Sequence, residues 1–439
     1  MKTSALYFNG SGSRVEIGNP AAVQITGDQT IELWLRPQVL GKRQNPFAKA
    51  YGGEGTITLE PAGALSYYHG VAGGNADPYQ GFHTADGMIA PGRWNHLAVV
   101  RDLQARKLRW YVDGQQVMEA DAAWGAAVAS PLPLLLGQGY VEFFSGELCE
   151  VRLWASARSQ AQIQQGMRRK LTGREDGLAG YWPLDEGGGT IAHDRSPAGN
   201  HGTMISGEWR ATGPDLQPAF ESLHLDGSND YVLIGNPPSV QLTGDQTIEL
   251  WLRPRVLGKR QNPFAKAYGG EGTITLEPDG SIGYYCGPNG YDTDPYADFH
   301  TPANVVPAGR WTHVAVTRQI GSKQLRWYCN GELVAEQTTW ISGVGAGNQP
   351  LRIGKGYTND FDGDIAEVRL WSTVRTQQQL RDDMNRRLTG REANLAGYWP
   401  LDDGPTGVAR DMSPANAHGA VIESTWAGTG PGLERKLGL

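Results

Sequence analysis

Residues 26–61 read TGDQTIELWLRPQVLGKRQNPFAKAYGGEGTITLEP, and residues 243–278 repeat them with one change, Arg255 standing where the first copy has Gln38. The offset of 217 residues holds far beyond this block, pairing Leu6 with Leu223, Trp94 with Trp311, Trp154 with Trp371 and Trp182 with Trp399 without a gap. A self-match of this length is a tandem duplication, and its period is that of a whole domain rather than a solenoid repeat. The expected domains are residues 1–217 and 218–439, with a linker in residues 211–222.

Inside the block, residues 30–36 alternate Ile31, Leu33 and Leu35 with Glu32, Trp34 and Arg36 before Pro37, which predicts a strand with one aliphatic face. Residues 94–100 predict a strand apolar on both faces, and the EVRLW at 150–154 another. Between them Leu108, Trp110 and Val112 share a face, and Asp113-Gly114 turns the chain into a hairpin. The second copy writes Asn330-Gly331 there, so the residue changes while the type I′ turn chemistry stays. Ser159 to Gln162 and Thr376 to Gln379 have capping-box spacing, and Ile163, Met167 and Leu171 (Leu380, Met384 and Leu388 in the second copy) predict one helix ending near Gly173 or Gly390. The basic run Met167-Arg168-Arg169-Lys170 reads as a solvated last turn, and YWPLD at 181–185 as a further short strand.

The 439 residues carry 60 glycines, 26 prolines and a net charge of −7. That load suits many short strands joined by turns, and the charge argues against nucleic acid or an anionic membrane as the main partner. No apolar run approaches the roughly 18 residues of a membrane span. The opening MKTSALYFNG has no apolar h-region, so no signal peptide is expected in it. Cys149, Cys286 and Cys329 face Ala366, His69 and Val112 in the other copy, so free, buried thiols are expected rather than a shared disulfide framework. The pattern predicts an all-β chain: two tandem antiparallel β-sandwiches, each with one short α-helix.

The phrases LHLDGSNDYVLIGNP, TIELWLRP, GRWTHVAVTR, LRWYCNGELV, FDGDIAEVRLW and LAGYWPLDDG, in that order, resemble the LamG-like (laminin G / concanavalin A-like lectin) jelly-roll family, over nearly the whole chain and twice. The resemblance implies two face-to-face antiparallel sheets, often with a calcium ion at the rim, and binding of carbohydrate or protein. It also implies a secreted or cell-surface protein, and it leaves open which copy residues 178–210 pack against. Fold alone does not license a function.

No Walker loop, G-x-S-x-G, H-E-x-x-H or paired C-x-x-C is present, and Gly52-Gly53-Glu54-Gly55 lacks a phosphate-loop lysine. His96 and His313, inside strands, read as satisfied core histidines. A glycosidase needs two suitably spaced carboxylates. Relatives of this fold that cleave glucans carry Glu-x-Asp-x-Glu, which is absent here; Asp362-Gly363-Asp364 is matched by Ser145-Gly146-Glu147. The expectation is a non-catalytic protein, lectin-like towards a glycan or glycoprotein. A protein-interaction or adhesion module of a surface or toxin assembly is the first alternative, and a glycoside hydrolase the second.

The candidate ligand residues lie in two long loops after Tyr67-Tyr68 and Tyr284-Tyr285: Asp77, Tyr79, Phe82 and His83, and Tyr291, Asp292, Asp294, Tyr296, Phe299 and His300. Aromatic faces stack on sugar C–H faces while carboxylates and amides serve hydroxyls; the competing reading is that Tyr79 and Phe82 only pin the loop. Lys42 to Lys49 with Glu54 forms a second candidate, whose near-identity in both copies equally suits recent duplication. Calcium is expected mainly in the second copy, at Asp226, Asp230, Asp362, Asp364 and Glu367 with Asp360 nearby, because the first copy has Asn9, Ser13, Ser145, Glu147, Glu150 and Phe143 there.

Overall fold

The computed structural model describes residues 3–433; the outer ends of the two expected domains, residues 1–2 and 434–439, lie outside the described residues. The chain divides into two compact units between Pro218 and Ala219. In the first unit the strands are, in chain order, β1 (Ala5–Asn9), β2 (Arg14–Gly18), β3 (Gln29–Pro37), β4 (Gln44–Ala50), β5 (Gly55–Leu59), β6 (Leu65–Gly70), β7 (Tyr79–His83), β8 (Asn95–Asp102), β9 (Lys107–Val112), β10 (Gln115–Asp121), β11 (Leu134–Leu136) and β12 (Ser145–Trp154). Helix α1 (Gln160–Gly166) follows, then β13 (Leu178–Trp182), β14 (Ile191–Ala192), β15 (Gly202–Ile205) and β16 (Glu208–Arg210).

One sheet runs β10-β9-β8-β3-β12-β1-β16, with β13 also on β12; the facing sheet runs β14-β15-β2-β11-β4-β5-β6-β7. Residues 178–210 thus complete the sheets of their own copy. The second unit repeats both sheets 217 residues on, and extends a single Gln44–Glu142 bridge of the first into a short parallel pairing of Asn359–Asp360 with Gln261–Ala265. Each unit is an antiparallel β-sandwich with one helix.

The core follows from the alternation. Ile31, Leu33, Leu35, Leu108, Trp110, Val151 and Leu153 are buried in one cluster, and their counterparts Ile248, Leu250, Leu252, Leu325, Trp327, Val368 and Leu370 in the other. Each such side chain contributes about 1.5–3 kcal/mol when fully buried. The hairpin turns at Asp113 and Gly114, with φ of 48° and 75°, as type I′ geometry requires. Both capping boxes are formed, and all three cysteines are free and buried.

Two expectations are corrected, on the helix end and the linker, and β3 is buried on both faces. Opposite its aliphatic face, Glu32 and Trp34 are buried as well, because α1 and the chain after it cover them. Glu32 lies 3.3 Å from His96 Nε2 and 3.1 Å from Arg158 Nε, with Arg152 at 3.8 Å. Burial alone would raise its carboxyl, but the His96 hydrogen bond and the Arg158 and Arg152 guanidiniums outweigh it and hold the group at about 2. Helix α1 stops at Gly166 rather than near Gly173. The carbonyls of Gly166 and Met167 accept from Arg152 Nη1 and Trp34 Nε1, so side chains from distant strands satisfy the helix end. Leu171 and Leu388 are buried beyond the helix, against Trp154 and Trp371. Residues 211–218 are not a free linker either: Thr212 donates to Glu147, and the Gln217 backbone bonds Arg168 and Lys170, all in the first unit.

Candidate functional site

On the outer face of β4–β7, four tyrosines from separate segments converge. The Tyr51 ring centroid lies 4.8 Å from Tyr68, 5.9 Å from Tyr79 and 5.3 Å from Tyr140, and Tyr68 lies 5.8 Å from Tyr79. Strand period 2 builds this face: Tyr67 turns into the core while Tyr68 turns out, in register with Thr56 on one side and Gly81 on the other. Glycine at position 81 leaves the platform open, since a Cβ there would meet Tyr68 Cε1 at 3.0 Å and His83 Nε2 at 2.7 Å.

Polar groups border the rings. Arg43 grips Glu60 with Nε and Nη2, donates to the Tyr68 hydroxyl at 2.8 Å and lies over the Tyr68 ring. Ser66 donates to Glu60 at 2.8 Å and lies 2.6 Å from His83 Nδ1. Burial pushes the Tyr68 and Tyr140 hydroxyls up, so both stay protonated donors. Tyr140 is fixed from behind by Asn45, which accepts from its backbone N–H at 2.8 Å.

The second unit builds the same quartet. Tyr268 lies 4.8 Å from Tyr285, 5.9 Å from Tyr296 and 5.0 Å from Tyr357, with Arg260, Glu277 and His300 around it. This copy is more closed. Tyr268 and Tyr285 are only 8 % and 5 % exposed, Arg260 sits 5.0 Å over the Tyr285 ring, and Asp298 replaces Gly81. Burial pushes the Tyr285 hydroxyl up to about 12.

Of the residues read from the loops, Tyr79, His83, Tyr296 and His300 join these faces. Phe82 and Phe299 do not: both turn inward and are core residues, which corrects their reading as ligand contacts. Asp77 and Asp294 are exposed on the loops and Tyr291 is 65 % exposed. Asp292 is half-buried beside Tyr357, and burial raises its carboxyl. Tyr51, Tyr68 and Tyr140 were missed as site residues because they are 17 and 72 positions apart. A signal existed: Tyr140 and Tyr357 are kept while the residues after them change from VEFFSGE to TNDFDGD.

The duplicated block divides between site and scaffold. Arg43, Tyr51 and Glu60 reach the tyrosine face, whereas Lys49 and Glu54 form a buried pair at 3.1 Å. Lys49 also donates to the Ser130 and Leu132 carbonyls, and Glu54 accepts from the Ser130 N–H. His96 and His313 are buried core histidines facing Glu32 and Glu249.

The residues read as calcium ligands do not fit that ion. Both Asp362 oxygens are held by Arg255, at 2.6 and 3.0 Å. Asp364 is shared between His224 at 2.9 Å and Arg253 at 2.8 Å. Glu367 is buried against Arg369 and the Tyr398 hydroxyl, Asp230 accepts from the Asp226 N–H, and Asp360 pairs with Lys355. Calcium needs six to eight oxygens, and among the described residues no group of three His, Cys, Asp or Glu side chains converges to hold a metal.

A laminin-G-like model of the concanavalin A-like lectin/glucanases superfamily matches residues 9–164 and 226–381. No curated protein matches the chain. Among similar solved structures, mouse laminin alpha1 chain domains LG4-5 are 11 % identical, with 84 % of this chain and 88 % of that one covered and a TM-score of 0.32. A Bacteroides ovatus protein proposed to bind carbohydrate is 14 % identical, with 96 % and 97 % covered and a TM-score of 0.39. The CBM40 of a Ruminococcus gnavus IT-sialidase, bound to alpha2,3 sialyllactose, is 17 % identical, with 37 % and 95 % covered and a TM-score of 0.33.

Proposed function

The chain belongs to the concanavalin A-like lectin/glucanases superfamily, and on that premise we propose that it is a non-catalytic glycan-binding protein whose ligand sites are the two tyrosine faces. The observation that carries this reading is the quartet itself, assembled twice from dispersed segments with nearly the same ring spacings. Part-exposed rings (all four in the first unit, Tyr296 and Tyr357 in the second) bordered by Arg, Glu and His offer a sugar both a stacking surface and partners for its hydroxyls. A merely pinned loop needs neither the exposed Tyr79 nor an open Gly81.

The hydrolase alternative is disfavoured by the same ion pairs that disfavour calcium. A glycosidase needs one carboxyl free to give a proton and one free to attack or activate water. Asp362 and Asp364 are each matched by an arginine. Work outside the cell belongs to this proposal; among the described residues no helix is long and apolar enough to cross a membrane.

The test is a glycan array probed with the intact chain, followed by titration of the strongest hit into Tyr79→Ala. Loss of one stacking contact is expected to cost about 1 kcal/mol, about a five-fold rise in Kd, with the melting midpoint nearly unchanged. A variant that melts much earlier yet binds the hit as the parent does returns Tyr79 to a structural role.

A further inference from the structure

The single change in the duplicated block has partners elsewhere. We infer that Arg255, Asp362 and Asp226 are one coupled unit, in which the guanidinium is a built-in cation serving the second unit's rim in place of a metal ion. Asp226 and Asp362 are directly opposite each other in the antiparallel pairing of Ser222–Asp226 with Asp362–Trp371. Like charges so placed repel unless a cation serves them. Arg255 takes Asp362 with both Nε and Nη2, and its own guanidinium is held more strongly protonated by Asp362 and, more weakly, by Asp226. Lys259 adds a second ammonium at the same turn: a Cβ on Gly227 would lie 3.2 Å from its Nζ and 2.9 Å from the Asp362 Cβ.

The first unit shows what the positions do without charge. There Asn9 faces Ser145 across the same strand pair, and Ser145 Oγ reaches Gln38 Oε1 at 3.4 Å. The second unit has Asp, Asp and Arg where the first has Asn, Ser and Gln, on the same strand pairing. A bidentate guanidinium–carboxylate pair is directional and permanent, whereas a metal ion is lost to a chelator. The second unit is therefore expected to be indifferent to calcium at this rim.

Two measurements on the intact chain test this. Calcium is titrated calorimetrically into the parent and into Asp362→Asn. No saturable heat that depends on Asp362 is expected; saturable heat in the parent that disappears in Asp362→Asn overturns the inference. Melting midpoints are then compared for Arg255→Gln, Asp362→Ser and the double variant, all residues the first unit already tolerates. Arg255→Gln is expected to lower the midpoint by leaving Asp362 and Asp226 with Lys259 as their remaining cation, and the double variant to regain most of that loss. Losses that simply add also overturn it.

Discussion

His69 lies beneath the first tyrosine face, stacked on Tyr67 at 5.7 Å and edge-on to Trp124 at 5.9 Å. Cys286 takes its place in the second unit, inside the core. Burial, with the nearby Arg101 guanidinium, holds the imidazole down at about 3 against an ordinary 6.5. The folded chain therefore keeps His69 neutral where the unfolded chain protonates it, so stability is lost as pH falls from about 6.5 towards 3. His69→Cys is expected to flatten the melting midpoint between pH 6.5 and 4.5; an unchanged slope there would show that His69 is not the group responsible. A second loss should persist in that variant. Glu32 and Glu249, held at about 2 against an ordinary 4.5, contribute stability present above pH 4.5 and lost as pH falls towards 2.

Turns and strand ends decide how far single elements tolerate change. Asp113 Oδ1 accepts from the His96 N–H, and Asn330 Oδ1 accepts likewise from His313, so Asp113→Asn is expected to stay within about 0.5 kcal/mol of the parent in chemical denaturation. Gly114→Ala should cost about 1–2 kcal/mol in the same assay, because φ is 75° and the new Cβ meets Gln164 Cγ at 2.9 Å. A neutral Gly114→Ala would contradict the turn assignment. Element existence was legible in the residues: the alternation around Ile31, Leu33 and Leu35 and the Asp-Gly and Asn-Gly exchange both led to the observed strands and hairpin. Element ends were less so. The stripe of Ile163, Met167 and Leu171 continues past the helix because Arg152, from a strand before it in sequence, takes the Gly166 and Arg169 carbonyls. Charge reading failed for the same reason. Asp362 reads as a free acid until Arg255, 107 residues away, is brought onto it.

At the scale of the whole molecule, duplication supplies two versions of one face, the first more open and the second more covered. Linked sites on one chain gain effective concentration on a repetitive ligand without any new contact. The loops pointed to Tyr79, Tyr296 and the two histidines, while the remaining tyrosines became visible only when β4–β7 and the stretch around Tyr140 were folded together. The most direct measurement is binding of the intact chain to the immobilised array hit, with and without chelator, beside Tyr79→Ala, Tyr296→Ala and their combination. Binding should survive chelation, weaken in each single variant and fall furthest in the double variant, whose melting midpoint stays close to the parent's. Parent-like binding by a folded double variant would contradict the assignment of the tyrosine faces as the ligand sites.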